Sequence, residues 1–335
     1  MNANNRMGYR PRNDKTRLIL IVGIVAVAIA IAVFAILIAG KLFGWFENGG
    51  KGNDPLSDKF SVTEIDVKSS DIHKGDLILI NNTYKYVFPD ETPDLIPIIN
   101  DRVVHGTYPS GNKIYSFFTQ SGVSQCAKVD AETHEKIHAW TDAFYGATQN
   151  SDLFIFDEDG YRTEAEQNDK HSAKPTEYSE GGTSEHHTGK VIDFYVYTGT
   201  VRGNIDDAEF AETFKWIYNN AYKYGFIHRY PTLKQEITNV DYEPYHFRQV
   251  GYAHAYYMYN NDLCLEEYLE LLKKDYTSST PLEFTGDDGN GYMVYYVAAG
   301  EGETTKLTVP ADLPYTVSGD NMGGFIVTVT AAAVK

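Results

Sequence analysis

Hydrophobic and polar positions divide the chain into stretches of different periodicity. The first stretch has none. LILIVGIVAVAIAIAVFAILIAG, residues 18–40, runs for 23 residues without a charge. As a helix rising 1.5 Å per residue it reaches roughly 34 Å, enough for a hydrocarbon core of about 30 Å. A secretory signal has a shorter apolar stretch, about 7–15 residues, ending in a small-residue cleavage site. The pattern therefore predicts an uncleaved transmembrane anchor. Residues 41–70, rich in Gly, Asp, Ser and Lys, read as a linker.

Regular periods begin after the linker. DLILINNTYKYVF, 76–88, has two apolar runs around an Asn-Asn turn and predicts a hairpin. DAETHEKIHAWTDAFYGA, 130–147, predicts a helix capped by Asp130, with Ile137, Trp140, Phe144 and Ala147 as its apolar stripe. Strands are expected at 152–162 and 190–199, with a polar loop over 163–185 between them. Helices are expected at 206–225, with Phe210, Phe214, Ile217 and Ala221 on one face and Gly225 at the end, and at 266–274. From Pro281 onward, strand-like runs alternate with Gly and Pro. The expected organisation is a main domain over 71–280 and a small all-β module over 281–335.

Charge sharpens this picture. The net charge is −17, which argues against a nucleic-acid partner, because phosphate binding needs a basic surface. Residues 1–17 hold five basic side chains against Asp14 alone, a net +4, so the remainder carries −21. A basic tail stays cytoplasmic by the positive-inside rule, which places residues 41–335 outside the membrane. Hydrophobic residues make up 42% and aromatics 14%, enough for a buried core rather than disorder. Cys126 and Cys264 are the two cysteines. A disulfide is permitted in that compartment, and two buried thiols fit equally. Neither option builds a cysteine-rich zinc site, so a metal must use His and carboxylate.

Two places offer such ligands. His134-Glu135-Lys136-Ile137-His138 matches the H-E-x-x-H pattern of zinc peptidases. On a helix, however, His134 falls about 100° and His138 about 140° from the centre of the apolar stripe, with Glu135 nearly opposite it. The positions where a longer zinc motif has Gly and His hold Thr141 and Phe144. The expectation is a surface helix that happens to carry two histidines. The second place combines TSEHHTGKVIDFYV, 183–196, with VDYEPYHFRQVG, 240–251. Asp193 lies in an apolar run and needs a partner, since an unpaired buried charge is costly. His186, Asp193 and His246 make a two-histidine, one-carboxylate set that leaves a position open, as in catalytic zinc sites. Glu243 is then the nearby base.

These residues also carry a resemblance. Ser184, His186, Gly189, Val191 and Asp193 resemble the S-x-H-x-x-G-x-A-x-D motif of VanY-type D-alanyl-D-alanine carboxypeptidases, with Val191 for Ala. Glu243 to Arg248 is similar to the family's E-P-W-H-F-R, with Tyr245 for Trp. Gly225 to Pro231 matches its G-F-I-x-R-Y-P run, and Gly160-Tyr161-Arg162 with Gln167 resembles S-G-Y-R-S…Q, with Asp159 for Ser. Four motifs in the family's order cover about 76–275. The β-rich tail resembles extensions in some Gram-positive members.

The resemblance implies an α+β fold, an antiparallel sheet with surrounding helices. It implies Zn2+ on His186, Asp193 and His246, and Glu243 as catalytic base. It also implies that Arg162 faces the developing oxyanion or the substrate's terminal carboxylate. The substrate would be a peptidoglycan stem peptide, which loses its last D-Ala. Ser184, Gln167, Tyr245 and Arg248 are expected at the substrate. For Ser184 a purely loop-shaping role, and for Arg248 a strand-locking role, stays open. His187, Arg229 and Tyr230 are expected around the site rather than in the chemistry. Asp159 beside Arg162 is expected to weaken its hold on a carboxylate. An L,D-carboxypeptidase or endopeptidase would use the same residues. A non-catalytic wall-binding module would have no need of all four of His186, Asp193, Glu243 and His246.

Overall fold

The computed structural model describes residues 60–91, 93–99, 102–119 and 126–331. The expected basic tail at 1–17, the anchor at 18–40 and most of the linker lie outside the described residues. Among the described residues no helix is long and apolar enough to cross a membrane.

Three antiparallel strands carry the candidate chemistry. Glu243–Gln249 lies between Phe226–Tyr230 and Val191–Asp193. Its register sets His246 opposite Asp193 and Arg248 opposite Val191. A second sheet runs Arg202–Asn204, Tyr195–Tyr197, Leu153–Ile155, Phe118–Thr119. Its last pair is parallel, so the sheets are not purely antiparallel and the fold is a mixed α+β arrangement. The strand expected at 190–199 is broken in two, one half in each sheet. Phe194 sits fully buried at the crossing, and its amide donates to the Tyr245 carbonyl at 2.9 Å.

The helix behind these strands is Ala131–Thr148. Asp130 caps it by accepting from the Thr133 amide at 2.8 Å, as Ncap carboxylates do. Ile137, Trp140 and Phe144 are completely buried. Trp140 stacks on Phe226 and meets Phe194 and Phe247 edge-on, so one side chain braces two site strands and the residue just past the third. Truncating a core Trp to Ala typically costs about 3–5 kcal/mol. Ala147, counted in the expected stripe, is exposed.

Other expectations shift at their edges. The helix expected at 206–225 starts only at Ala211 and tightens into a 3₁₀ turn, Ala221–Tyr224, because the Asp207 carboxylate accepts from Asn204 and holds 204–207 as a turn. Gly225 ends it at φ +85. Residues 76–88 form no strand ladder. Their backbone groups bond instead to residues 318–321 and 182.

The C-terminal region is less separate than expected. Leu282–Thr285, Gly291–Ala298, Gly324–Ala331 and Tyr315–Gly319 form one antiparallel sheet. Val62–Lys68, expected in the linker, is a strand paired along its length with Thr304–Pro310. Leu282, Val294 and Ile326 share a core with Leu77, Leu79, Ile227 and Val250. Residues 281–331 therefore complete the main domain's core rather than hanging from it. Cys126 and Cys264 are both buried and are not joined in a disulfide.

Candidate metal centre and substrate cleft

His186 lies in a 3₁₀ turn, Glu185–Thr188, that begins at Ser184 and ends at Gly189. Gly189 has φ +69, a left-handed backbone conformation that favours glycine in this turn. The His186 Nδ1–H donates to the Gly160 carbonyl at 2.6 Å, which leaves Nε2 with a lone pair facing Asp193 at 3.4 Å. His246 presents Nδ1 to Asp193 Oδ1 at 3.0 Å. The three residues are 3–4% exposed, and their donor atoms all fall within 4.8 Å of one another. Asp193 Oδ1 has no hydrogen-bond partner despite that proximity. Donors this close without hydrogen-bond geometry suit a shared cation. Two imidazoles and one carboxylate, tied to their shell by a carbonyl, are a fitting set for zinc.

The electrostatics agree. Burial opposes charge on Asp193, but His186 and His246 hold its pKa well below the usual carboxylate range. Burial and the Arg162 charge push His186 down to about 4, a neutral ligand. Burial also works against a charged His246, yet Asp193 raises it to about 10. The Asp193 carboxylate draws positive charge toward itself, the role a shared metal cation would fill. Burial lifts Glu243 to about 7, partly offset by His246, and its Oε2 lies 3.5 Å from His246 Nδ1.

A cleft of about 620 Å³ opens onto this cluster. It is lined by Ser184, His186, Asp193, Glu243, Tyr245 and His246, and also by Arg162 and Gln167. Arg162 donates to the Glu158 carbonyl and to Gln167 Oε1, while Gln167 donates to the Ser179 carbonyl at 2.8 Å. Gln167 thus aims the guanidinium and ties it to the far wall. Tyr245 stacks on Tyr195 at 5.0 Å. Ser184 Oγ accepts from the His186 amide at 3.4 Å, a turn-capping role. Asp159 is 3% exposed and turns its carboxylate back to the Phe156 amide. Burial, then the neighbouring Asp193, raise its pKa well above normal, with the Arg162 charge working against them, while Arg162 itself lies 3.7 Å from Asp193 Oδ2.

Arg248 does not reach the cleft. It is completely buried, donates to the Asp76 carbonyl at 3.1 Å and approaches Glu185 at 3.6 Å, so the substrate-binding expectation is corrected to strand locking. His187, also buried, donates Nδ1–H to the Arg162 carbonyl and accepts from the Gly182 amide.

Glu185 is a residue that spacing did not flag. Its side chain is inaccessible. Oε1 accepts from Arg229 Nε at 2.9 Å, and Oε2 faces His246 Nε2 at 3.7 Å. Arg229 also forms a bidentate pair with Glu266. Burial alone would raise the Glu185 carboxyl, but Arg229 and Arg248 hold it well below its ordinary range. An anion behind His246 favours the tautomer with its proton on Nε2 and its lone pair on Nδ1. A carboxylate inside a motif otherwise made of buried residues was the available clue.

The H-E-x-x-H helix is corrected in one respect. His134 and His138 are 5% and 4% exposed, because Ile96–Pro97 pairs with Lys128–Val129 and brings the following segment across that face. Phe117 packs edge-on against His138. Arg102 bonds Glu135 and lies 3.3 Å from His134 Nδ1. Among the described residues, the donor trio that can share a metal is His186, Asp193 and His246. A larger groove of about 750 Å³, over the second sheet, contains none of the predicted site residues.

Comparison with known proteins follows this geometry. The VanY D-alanyl-D-alanine carboxypeptidase family profile matches residues 129–252. A D-alanyl-D-alanine carboxypeptidase of Enterococcus faecium is 31% identical over 271 residues, 80% of this chain and 80% of that protein. A bifunctional D-Ala-D-Ala dipeptidase and carboxypeptidase, VanXYC of Enterococcus gallinarum, is 37% identical over 139 residues, 38% of this chain and 69% of that one. The crystal structure of the D,D-dipeptidase VanXYg with a D-Ala-D-Ala phosphinate analogue superposes with TM-score 0.65 at 23% identity, over 81% of this chain and 100% of that one, which shows a shared fold. The extent of the Enterococcus faecium match, together with the family profile, makes this chain a member of the VanY D-alanyl-D-alanine carboxypeptidase family.

Proposed function

We propose that this enzyme is a zinc carboxypeptidase that removes the C-terminal D-Ala from peptidoglycan stem peptides. The observation that carries the reading is Glu243. It is a carboxylate lifted to about 7, beside a buried two-histidine, one-carboxylate cluster at the floor of a cleft. His186 Nε2, Asp193 and His246 Nδ1 would hold zinc, which when bound acidifies water and polarises a carbonyl. Glu243 accepts the proton from the attacking water and returns it to the leaving amine, work suited to a group poised near neutral pH. Arg162, aimed by Gln167, pairs with the substrate's terminal carboxylate or with the oxyanion. Tyr245 forms an aromatic wall beside the scissile bond. The charge-free run at 18–40 and the basic tail before it support single-pass anchoring with the catalytic domain outside, next to the wall.

The test incubates residues 60–335 with pentapeptide and tetrapeptide stems, with and without chelator, and weighs the products. Loss of one D-Ala from the pentapeptide, abolished by chelator, is the expected result. Cleavage of the tetrapeptide alone would reassign the enzyme as an L,D-carboxypeptidase. Internal cleavage would make it an endopeptidase. Binding without any product would remove the enzymatic reading.

A further inference from the structure

One wall of the cleft is built by a segment with no secondary structure of its own. Ile80 to Thr83 line the cleft, and Asn82 and Thr83 are exposed there. Asn81 shapes the tip, its side chain accepting from the Thr83 and Tyr84 amides at 2.8 and 2.9 Å. Beyond that turn, both arms turn outward for their backbone partners. The Leu79 amide donates to the Asp320 carbonyl at 3.0 Å, and the Leu77 amide donates to Ser318 Oγ at 2.9 Å. On the other arm, the Tyr86 amide donates to the Gly182 carbonyl at 2.7 Å, next to the turn that carries His186.

Asn321 joins the two arms. Its Nδ2 donates to the Leu79 carbonyl at 2.8 Å and to the Lys85 carbonyl at 3.1 Å, while Oδ1 meets His73 Nδ1 at 2.5 Å. Its amide donates to the Ile72 carbonyl at 2.8 Å. It is 7% exposed and holds φ +62, a left-handed conformation that Asn tolerates better than most residues. Asp320, 1% exposed, fixes the turn by accepting from the amides of Met322, Gly323 and Gly324. An irregular loop that lacked such partners would open locally at little free-energy cost.

We propose that the 320–324 turn belongs to the substrate-binding apparatus. Asn321 is a positioning residue that clamps the Ile80–Thr83 wall, so that Asn82 and Thr83 meet the backbone amides of a bound stem peptide. The C-terminal sheet thereby acts in substrate recognition from outside the metal cluster. This rests on the proposed function for the ligand's identity, although the clamp itself does not.

The test compares wild type, Asn321→Gly, Asn82→Ala with Thr83→Ala, and the combination. Glycine keeps the left-handed backbone and removes only the amide. The expected result is a KM for pentapeptide raised about tenfold in Asn321→Gly with kcat within about twofold. Zinc content should stay at the wild-type level, and the combined variant should be no worse than the loop variant alone. Hydrogen exchange should show faster exchange at the Leu79 and Tyr86 amides. Ser318→Ala, which removes one outer bond, should show a smaller shift of the same kind. Unchanged KM and exchange in Asn321→Gly would overturn the proposal, as would fully additive effects or a loss of kcat and melting temperature with KM intact. If the wild type cleaves no stem peptide, the function falls, while the exchange result still supports or overturns the clamp.

Discussion

Two pairs of histidines in this chain look alike by most measures. His134 and His138 lie one helical turn apart, with ring centroids at 4.7 Å. His186 and His246 come from a turn and a strand 60 positions apart, with centroids at 5.1 Å. All four are buried to nearly the same degree. The charge beside each pair separates them. The helix pair has Arg102 against it, and Glu135, 3.5 Å from His134 Nδ1, is itself paired with that arginine; burial first, with neighbouring positive charge behind it, lowers both pKa values, His138 to about 4. The other pair has Asp193 between its members, and its pKa values diverge to about 4 and about 10. Burial and spacing prepare a site, and the sign of the third group decides whether a cation belongs there.

The comparison is most severely tested at Asp193. Asp193→Asn keeps the shape and removes the anion. Zinc affinity should fall on the order of 100-fold or more, with turnover falling alongside, read by metal analysis and peptide cleavage. Zinc retained at full affinity would refute the charge argument. Glu243→Ala should lower kcat by about 10²–10⁴ with zinc content unchanged. Because Glu243 must be ionised to accept a proton, and its pKa is lifted to about 7, kcat/KM should drop as pH falls below about 7. A profile flat down to pH 5 would remove it as the base.

Glu185→Gln should weaken zinc binding by about 10–100-fold and lower thermal stability, since Arg229 and Arg248 lose a buried counter-charge. Competition against a chelator separates the two effects. The smallest effect is expected at the helix pair. His134→Ala should leave zinc content and turnover within about twofold of wild type, and loss of metal there would reverse the comparison. His138 has a lowered folded pKa, so the folded state prefers it neutral. Its contribution is complete above the ordinary value of 6.5 and lost as pH falls toward 4. Melts across that window should flatten in His138→Gln.

The proposed metal ligands and base could be picked out because they fall in two short stretches, one turning at Gly189 and one holding Pro244, where local conformation and chemistry coincide. The strand pairing that sets His246 opposite Asp193 follows from two such stretches. What stayed hidden depends on distant partners. Nothing within 130–147 reveals that residues near 97–117 bury its histidines. Arg248 reads as a candidate substrate ligand until Glu185 and the Asp76 carbonyl are seen beneath it. The apolar runs around Asn81 suggest a self-paired hairpin, but beyond the single Asn81–Tyr84 bond the arms take their partners at residues 318–321 and 182 instead.

The pairing of Val62–Lys68 with Thr304–Pro310 has a consequence for the order of synthesis. Lys306 and Glu64 bond across 242 positions, so an early-made strand must wait for a late one. During translation its open edge is exposed for as long as the catalytic segment takes to emerge, at about 5–20 residues per second. Lys68, Asp66 and Glu64 along that strand place charges where stray pairing with another nascent chain would begin. The domain closes only when its C-terminal sheet arrives, and a ribosome that stalls before residue 304 leaves a chain with its proposed zinc ligands made and its first strand unpaired.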